Sequence, residues 1–163
     1  MSGGTWDVER LRIAVDAAGV ALWSWNVDTD RITLDDRALE LWGVERENSV
    51  TFEELSSRIH PEDLDKVRAA FAATRESYGP YETDFRILFG KEVRWISARG
   101  RGDDEGIRGR VMYGVFIDVS VRKLAEEARE LITGEMHHRI KNLFALASAL
   151  AGIASRTTSS KKP

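Results

Sequence analysis

The chain has 163 residues, of which 42% are hydrophobic and 31% charged, enough for one ordinary domain with a buried core plus an extension. A formal net charge of -3 gives no general attraction to nucleic acid or to an anionic membrane. The absence of cysteine excludes disulfides, cysteine-based zinc sites and thiol nucleophiles.

Met1-Ser2-Gly3-Gly4 lacks the charged-then-apolar pattern of a signal peptide. Asp7 can cap a first helix running to about Ala18, with Leu11, Ile13, Ala14 and Ala17 giving a partly apolar face and Ala18-Gly19 ending it. Val20 to Val27 is rich in β-branched and aromatic residues, Asp28-Thr29-Asp30 is a turn, and Ile32-Thr33-Leu34 completes a hairpin. Trp23 and Trp25, two apart, fall on one strand face and read as packing residues. Asp36 to Val44 forms a short helix carrying Leu39, Leu41 and Trp42, closed by Gly43. Thr51 and Glu54 have capping-box spacing, and Pro61 opens a helix whose stripe is Leu64, Val67, Ala70 and Phe71, up to about Glu76. Gly79-Pro80 breaks it.

Three strand-like runs follow: Tyr81 to Phe89, Glu92 to Arg99, and Arg108 to Asp118. Gly90-Lys91 is a tight turn between the first two. The glycines of Arg99 to Gly106 could suggest a phosphate cradle. No lysine-serine/threonine ending follows, and the next element is a strand, so this stretch reads as a hairpin loop. Two strands before a helical insert and three after it predict one five-stranded antiparallel sheet with helices on one face.

From Val121 the chain is predicted helical almost to Ser155. Val121, Leu124, Ala128, Leu131, Gly134 or Glu135, His138, Phe144 and Ala147 give an imperfect alternating three- and four-residue spacing, which fits a helix pairing with another helix. The most apolar run, Leu143 to Ala154, is broken by Ser148 and Gly152 and is too short to span a bilayer. A soluble, cytoplasmic protein follows, with neither membrane nor nucleic acid as partner. His137-His138-Arg139-Ile140-Lys141-Asn142 places an imidazole among cations and an amide, a setting suited to taking up and passing on a phosphoryl group. Lys141 and Asn142 lie on the His138 face of the helix, whereas Arg139 points about 100° away.

Several stretches together resemble a PAS domain of the subtype with a PAC motif, over residues 8 to about 122. They are Trp23-Ser24-Trp25-Asn26-Val27, Ile59-His60-Pro61-Glu62-Asp63, Asp84-Phe85-Arg86, Val93-Arg94-Trp95-Ile96, Gly114 to Ser120, and Arg122-Lys123. His138-Arg139-Ile140-Lys141-Asn142-Leu143-Phe144-Ala145 resembles the phosphoacceptor box of HWE-type and related bacterial sensor histidine kinases. Arg139, where commoner kinases carry an acidic residue, points to that branch. The resemblance implies an α+β PAS fold plus a long signalling and dimerisation helix. It implies a disordered start over 1–7, the sensor with its cap helix over 8–119, the helix over 120–155 and a disordered tail or a truncation over 156–163.

The resemblance further implies that His138 is the phosphoacceptor, with Lys141, Asn142 and Arg139 in support and His137 the competing candidate. ATP and magnesium would be held by a kinase domain outside this chain, so the chain by itself would be inactive. The partners implied are a second copy, through the cap and C-terminal helices, and the receiver domain of a response regulator. A flavin–cysteine bond and a thioester-linked chromophore are excluded by the lack of cysteine. Noncovalent flavin, haem with His60 as ligand, a metabolite or an empty pocket remain open, and the ligand sensed is unknown. The rival reading is a non-enzymatic PAS dimerisation and interaction module with an inactive histidine motif.

Overall fold

Asp7 starts the first helix by accepting a hydrogen bond from the Arg10 N–H at 2.8 Å, and Gly19, with φ +66°, ends it in the left-handed conformation. The computed structural model describes residues 6–45, 49–76, 80–102 and 110–159. Helix α1 (Val8–Ala18) buries none of its residues, and Leu11 and Ile13 are exposed.

The hairpin of β1 (Ala21–Asn26) and β2 (Arg31–Leu34) turns where expected. The Asn26 carboxamide oxygen accepts from the N–H groups of Asp28 and Thr29, an Asx turn. Asp30 takes a positive φ of 56°, and its carboxylate accepts the Trp25 indole N–H at 3.2 Å. Next come α2 (Asp36–Trp42), β3 (Val50–Thr51), α3 (Phe52–Ser56) and α4 (Pro61–Glu76). The capping box forms: Thr51 Oγ1 accepts from the Glu54 N–H, and Glu54 Oε2 from the Thr51 N–H. Strands β4 (Pro80–Phe89), β5 (Glu92–Gly102) and β6 (Val111–Asp118) complete the sheet, and α5 (Ser120–Ser159) follows.

The sheet is antiparallel, in the order β3-β2-β1-β6-β5-β4. It has six strands rather than the expected five. Thr51 caps a helix and also ends a two-residue edge strand, because pairing with Arg31 and Ile32 buries Val50. The strand expected to end at Arg99 runs three residues further, since β5 continues through Gly102. Gly100 pairs with Gly114 and Gly102 with Met112, so these glycines are strand residues, not turn residues. Residues 103–109, the rest of that expected loop and the start of the run from Arg108, lie outside the described residues, as does Gly79.

Alternation along the strands puts Ala21, Trp23, Trp25, Phe85, Ile87, Ile96, Ala98, Met112 and Phe116 in the core. Trp42, Leu55 and Val67 from the helices cover them. Trp23 and Trp25 share the inner face, as their spacing predicts. The opposite face carries Leu22 and Tyr113 toward solvent.

Arg86 ties the helical layer to the sheet through ion pairs with Asp63 and Glu62. Arg86 donates to Asp63 from its backbone N–H at 2.8 Å, from Nε at 3.0 Å and from a terminal nitrogen at 2.7 Å, and to Glu62 at 2.9 Å. These bonds hold the buried Asp63 carboxyl below the usual carboxylate range. Arg94 and Arg58 donate to the Leu41 and Trp42 carbonyls at the C-terminus of α2.

The chain divides into two compact units between Ser120 and Val121. The second is a helix continuing to Ser159, four residues past the expected end, so residues 156–159 are helical rather than a disordered tail. Residues 1–5 and 160–163, where disorder was also expected, lie outside the described residues.

Candidate functional site

Two places are candidates for function, one on α5 and one between the sheet and its covering helices. On α5, His137, His138, Arg139, Lys141 and Asn142 are all exposed. The Asn142 amide nitrogen and His138 Nδ1 are 3.4 Å apart, one helical turn, so the expected shared face brings these two together. Arg139 instead pairs with Glu135 at 2.7 Å, on another side of the helix, in agreement with its 100° offset. Among the described residues no hydrogen bond joins Lys141 to His138. His137 differs from its neighbour: its Nδ1 lies 3.1 Å from the Thr133 carbonyl oxygen and therefore carries the proton that this oxygen accepts. No helix among the described residues is long and apolar enough to cross a membrane.

Between the sheet and the helices that cover it is a cavity with about 50 Å³ of free space. One water needs roughly 10–15 Å³. Trp23, Trp25, Trp42, Phe71, Tyr81 and Phe116 supply much of its wall, and none of the described residues lining it is charged. Burial pushes the Tyr81 phenol above its ordinary value. Trp23 stacks on Phe116 with ring centroids 5.7 Å apart, and Trp42 meets the same ring edge-on at 5.5 Å. Neither the Trp23 nor the Trp42 indole N–H has a hydrogen-bond partner among the described residues. Each buried unpaired donor costs about 1–3 kcal/mol. Sequence reading missed this pair, because an indole's hydrogen bonding depends on what surrounds it in space. The only sequence trace is the Gly100 and Gly114 spacing, which makes room for Trp23.

A model of the PAS fold matches residues 31–115, more than half of the chain. The chain belongs to the PAS family. It is 29% identical over 133 residues to the sensor protein FixL of Bradyrhizobium diazoefficiens, covering 80% of this chain and 26% of that protein. It is 24% identical over 149 residues to a blue-light-activated histidine kinase of Brucella anthropi, covering 88% of this chain and 29% of that one. A sensory box histidine kinase/response regulator structure from Burkholderia thailandensis superposes with a TM-score of 0.66 at 29% identity, covering 79% of this chain and 98% of that chain. The PAS-containing chain thus spans less than a third of the length of these two curated relatives.

This PAS cavity, as it stands, fits neither a flavin nor a haem. Its free space is too small for a tricyclic or macrocyclic ring system, and no histidine is among the described residues that line it. His60 is occupied elsewhere. Its Nδ1 accepts from the Glu62 N–H at 3.3 Å, and its backbone N–H donates to the Arg86 carbonyl at 2.9 Å, at the start of α4.

Proposed function

We propose that this chain is the sensory and phosphoacceptor portion of a two-component sensor histidine kinase, with the PAS domain controlling phosphorylation of His138. The observation that carries the reading is the exposed His138–Asn142 pair on a helix that starts at Ser120, separated from the last PAS strand by Val119 alone. The kinase relatives support the same class.

In this reading the lone pair of a neutral His138 nitrogen attacks the γ-phosphorus of ATP held by a separate kinase domain. A P–N bond forms, the bond to the bridging oxygen breaks, ADP leaves and the imidazole loses one proton. A receiver-domain aspartate then takes the phosphoryl group. A neutral imidazole has one unprotonated ring nitrogen, whose lone pair is nucleophilic. The two ends of a carboxamide are interchangeable by a half-turn. Turned that way, the Asn142 oxygen accepts Nδ1–H and leaves the Nε2 lone pair free for phosphorus. Lys141 and Arg139 supply positive charge near the phosphate oxygens or the kinase domain.

The junction of the PAS domain with α5 is built for transmission. The Val119 N–H donates to the Trp95 carbonyl at 2.8 Å, and Ser120 Oγ accepts the Trp95 N–H at 2.9 Å. A shift of β5 therefore bears on the first residue of α5, and movement of that helix would change the presentation of His138. The exposed Leu131, Leu143, Phe144 and Leu150 of α5 suit pairing with a second copy, in a four-helix arrangement, and Leu11 and Ile13 of α1 suit a second contact.

The test combines the chain with the separate ATP-binding domain, labelled ATP and magnesium. Acid-labile phosphate that disappears in His138→Ala supports the reading. Label that survives there but is lost in His137→Ala moves the site, and no label from either histidine leaves a PAS interaction module.

A further inference from the structure

The apolar pattern of α5 changes phase part-way along the helix. Val121, Leu124, Ala128 and Leu131 keep the heptad alternation of three and four residues. Continued unchanged, that seam would run through Glu135, His138 and Asn142. The large apolar residues instead resume one residue later, at Met136, Leu143 and Leu150, seven apart, and at Ile132, Leu146 and Ile153. We propose that two copies of the chain pair in parallel along α5 through these two seams, and that the residue added between the seams keeps His138 outside the interface.

The large residues of both seams are more than half exposed, so neither seam is buried within one chain. A partner helix has to carry the same break. One with an unbroken heptad would fit the first seam and miss the second by about 100° around the axis. A second copy carries the break by identity. Paired in parallel and in register, break meets break along the whole helix. Antiparallel pairing centred on the break would set Val121 against Leu143 and leave Leu146, Leu150 and Ile153 bare. The ion pairs of Glu126 with Arg122 and Lys123 lie on the side of the helix away from the first seam, where solvent remains.

The step from Ala128 to Met136 is one residue longer than a heptad, and local unwinding of the helix pair absorbs the excess. Gly134 lies inside that step. A Cβ there would meet nothing, so no packing within the chain calls for a residue that weakens a helix relative to alanine. Its backbone freedom falls where the winding has to change. Arg139 takes the one place in the second seam that is not apolar. Glu135 holds its guanidinium at 2.7 Å, and Ile140 beside it supplies the apolar side chain. A single charged residue in a seam disfavours slipped registers. His138 is left about a third of a turn away from the second seam, open to a separate domain. The pairing rests on the second-copy reading of α5 above; the break itself is independent of any phosphorylation.

The chain has no cysteine, so single cysteines report the seams one position at a time. The whole chain carrying Leu124→Cys, Met136→Cys, Leu143→Cys or Leu150→Cys is oxidised with copper phenanthroline and compared with Glu135→Cys and Ala149→Cys, which continue the first seam. A disulfide needs Cβ atoms about 3.5–4.5 Å apart, so the four seam variants are expected to link two copies about tenfold faster than the other two. Faster linkage at Glu135 and Ala149 than at Met136 and Leu150 means one unbroken seam and overturns the break. Linkage at none of the six positions overturns the parallel pairing, and equal rates at all six overturn both seams. Deleting Gly134 brings the seams into phase and alters neither. It is expected to tighten the dimer about fivefold in sedimentation equilibrium, the worth of roughly one helical glycine. A weaker dimer after the deletion overturns the break. None of these readings depends on the label at His138, so the two proposals fail separately.

Discussion

Trp23 lies over Gly114, the residue directly opposite it on β6, and fills the space in which any side chain at that position would stand. A methyl group there would collide with the indole and with the Arg99 carbonyl oxygen of β5. Gly114→Ala is therefore an overpacking change at the cavity wall and is expected to destabilise the PAS domain by about 1–3 kcal/mol. Chemical denaturation followed by tryptophan fluorescence measures it. A variant as stable as the parent would mean that Trp23 has a second seat.

The Asp63–Arg86 contact predicts a pH dependence. The Arg86 hydrogen bonds lower the Asp63 pKa in the folded state, so its contribution is present above the ordinary carboxylate value of about 3.9 and is lost as pH falls through the lower folded value. Asp63→Asn keeps the shape and loses the charge. It is expected to cost about 1.5–3 kcal/mol at pH 7, and the gap between variant and parent should close as pH drops below about 4. Denaturation midpoints at pH 7, 5 and 3 check both the size and the sign; a constant gap rules out the carboxylate as its source.

Asn142 carries a prediction about which end of its carboxamide matters. If the oxygen accepts His138 Nδ1–H, Asn142→Ala slows phosphorylation about tenfold, the equivalent of one hydrogen bond of about 1.4 kcal/mol. Asn142→Asp, which keeps an acceptor, restores most of the rate. Recovery by the aspartate separates this role from mere helix packing, since the side chain is exposed. An aspartate variant as slow as alanine would assign the role to the amide nitrogen.

Ser120→Ala removes the acceptor of the Trp95 N–H and loosens the start of α5 from β5. Amide exchange at Trp95 and Val119 is expected to quicken about fivefold, in line with a loss of about 1 kcal/mol, while exchange in β1 stays unchanged. Uniform acceleration across the sheet would show instead that Ser120 supports global stability.

The sequence by itself was sufficient wherever a signal lies within a few residues of its effect. The Asp7 cap, the Thr51–Glu54 box, the Asp28–Asp30 turn and the long C-terminal helix are local, because a cap or turn is made by neighbours along the chain. The one-turn relation of His138 and Asn142 is equally local, since helical spacing alone brings positions four apart together. Tertiary structure decided what distant partners impose. Val50 became a sixth strand because Ile32 lies beside it, and Gly100 became a strand residue because Trp23, from the other end of the domain, lies across it. Trp23, Trp25 and Trp42 have the same indole donor, and only the folded chain separates them: Asp30 is within reach of one, and an apolar cavity faces all three. A hydrogen bond has to find its partner in space, and the order of residues does not state which partners folding brings near.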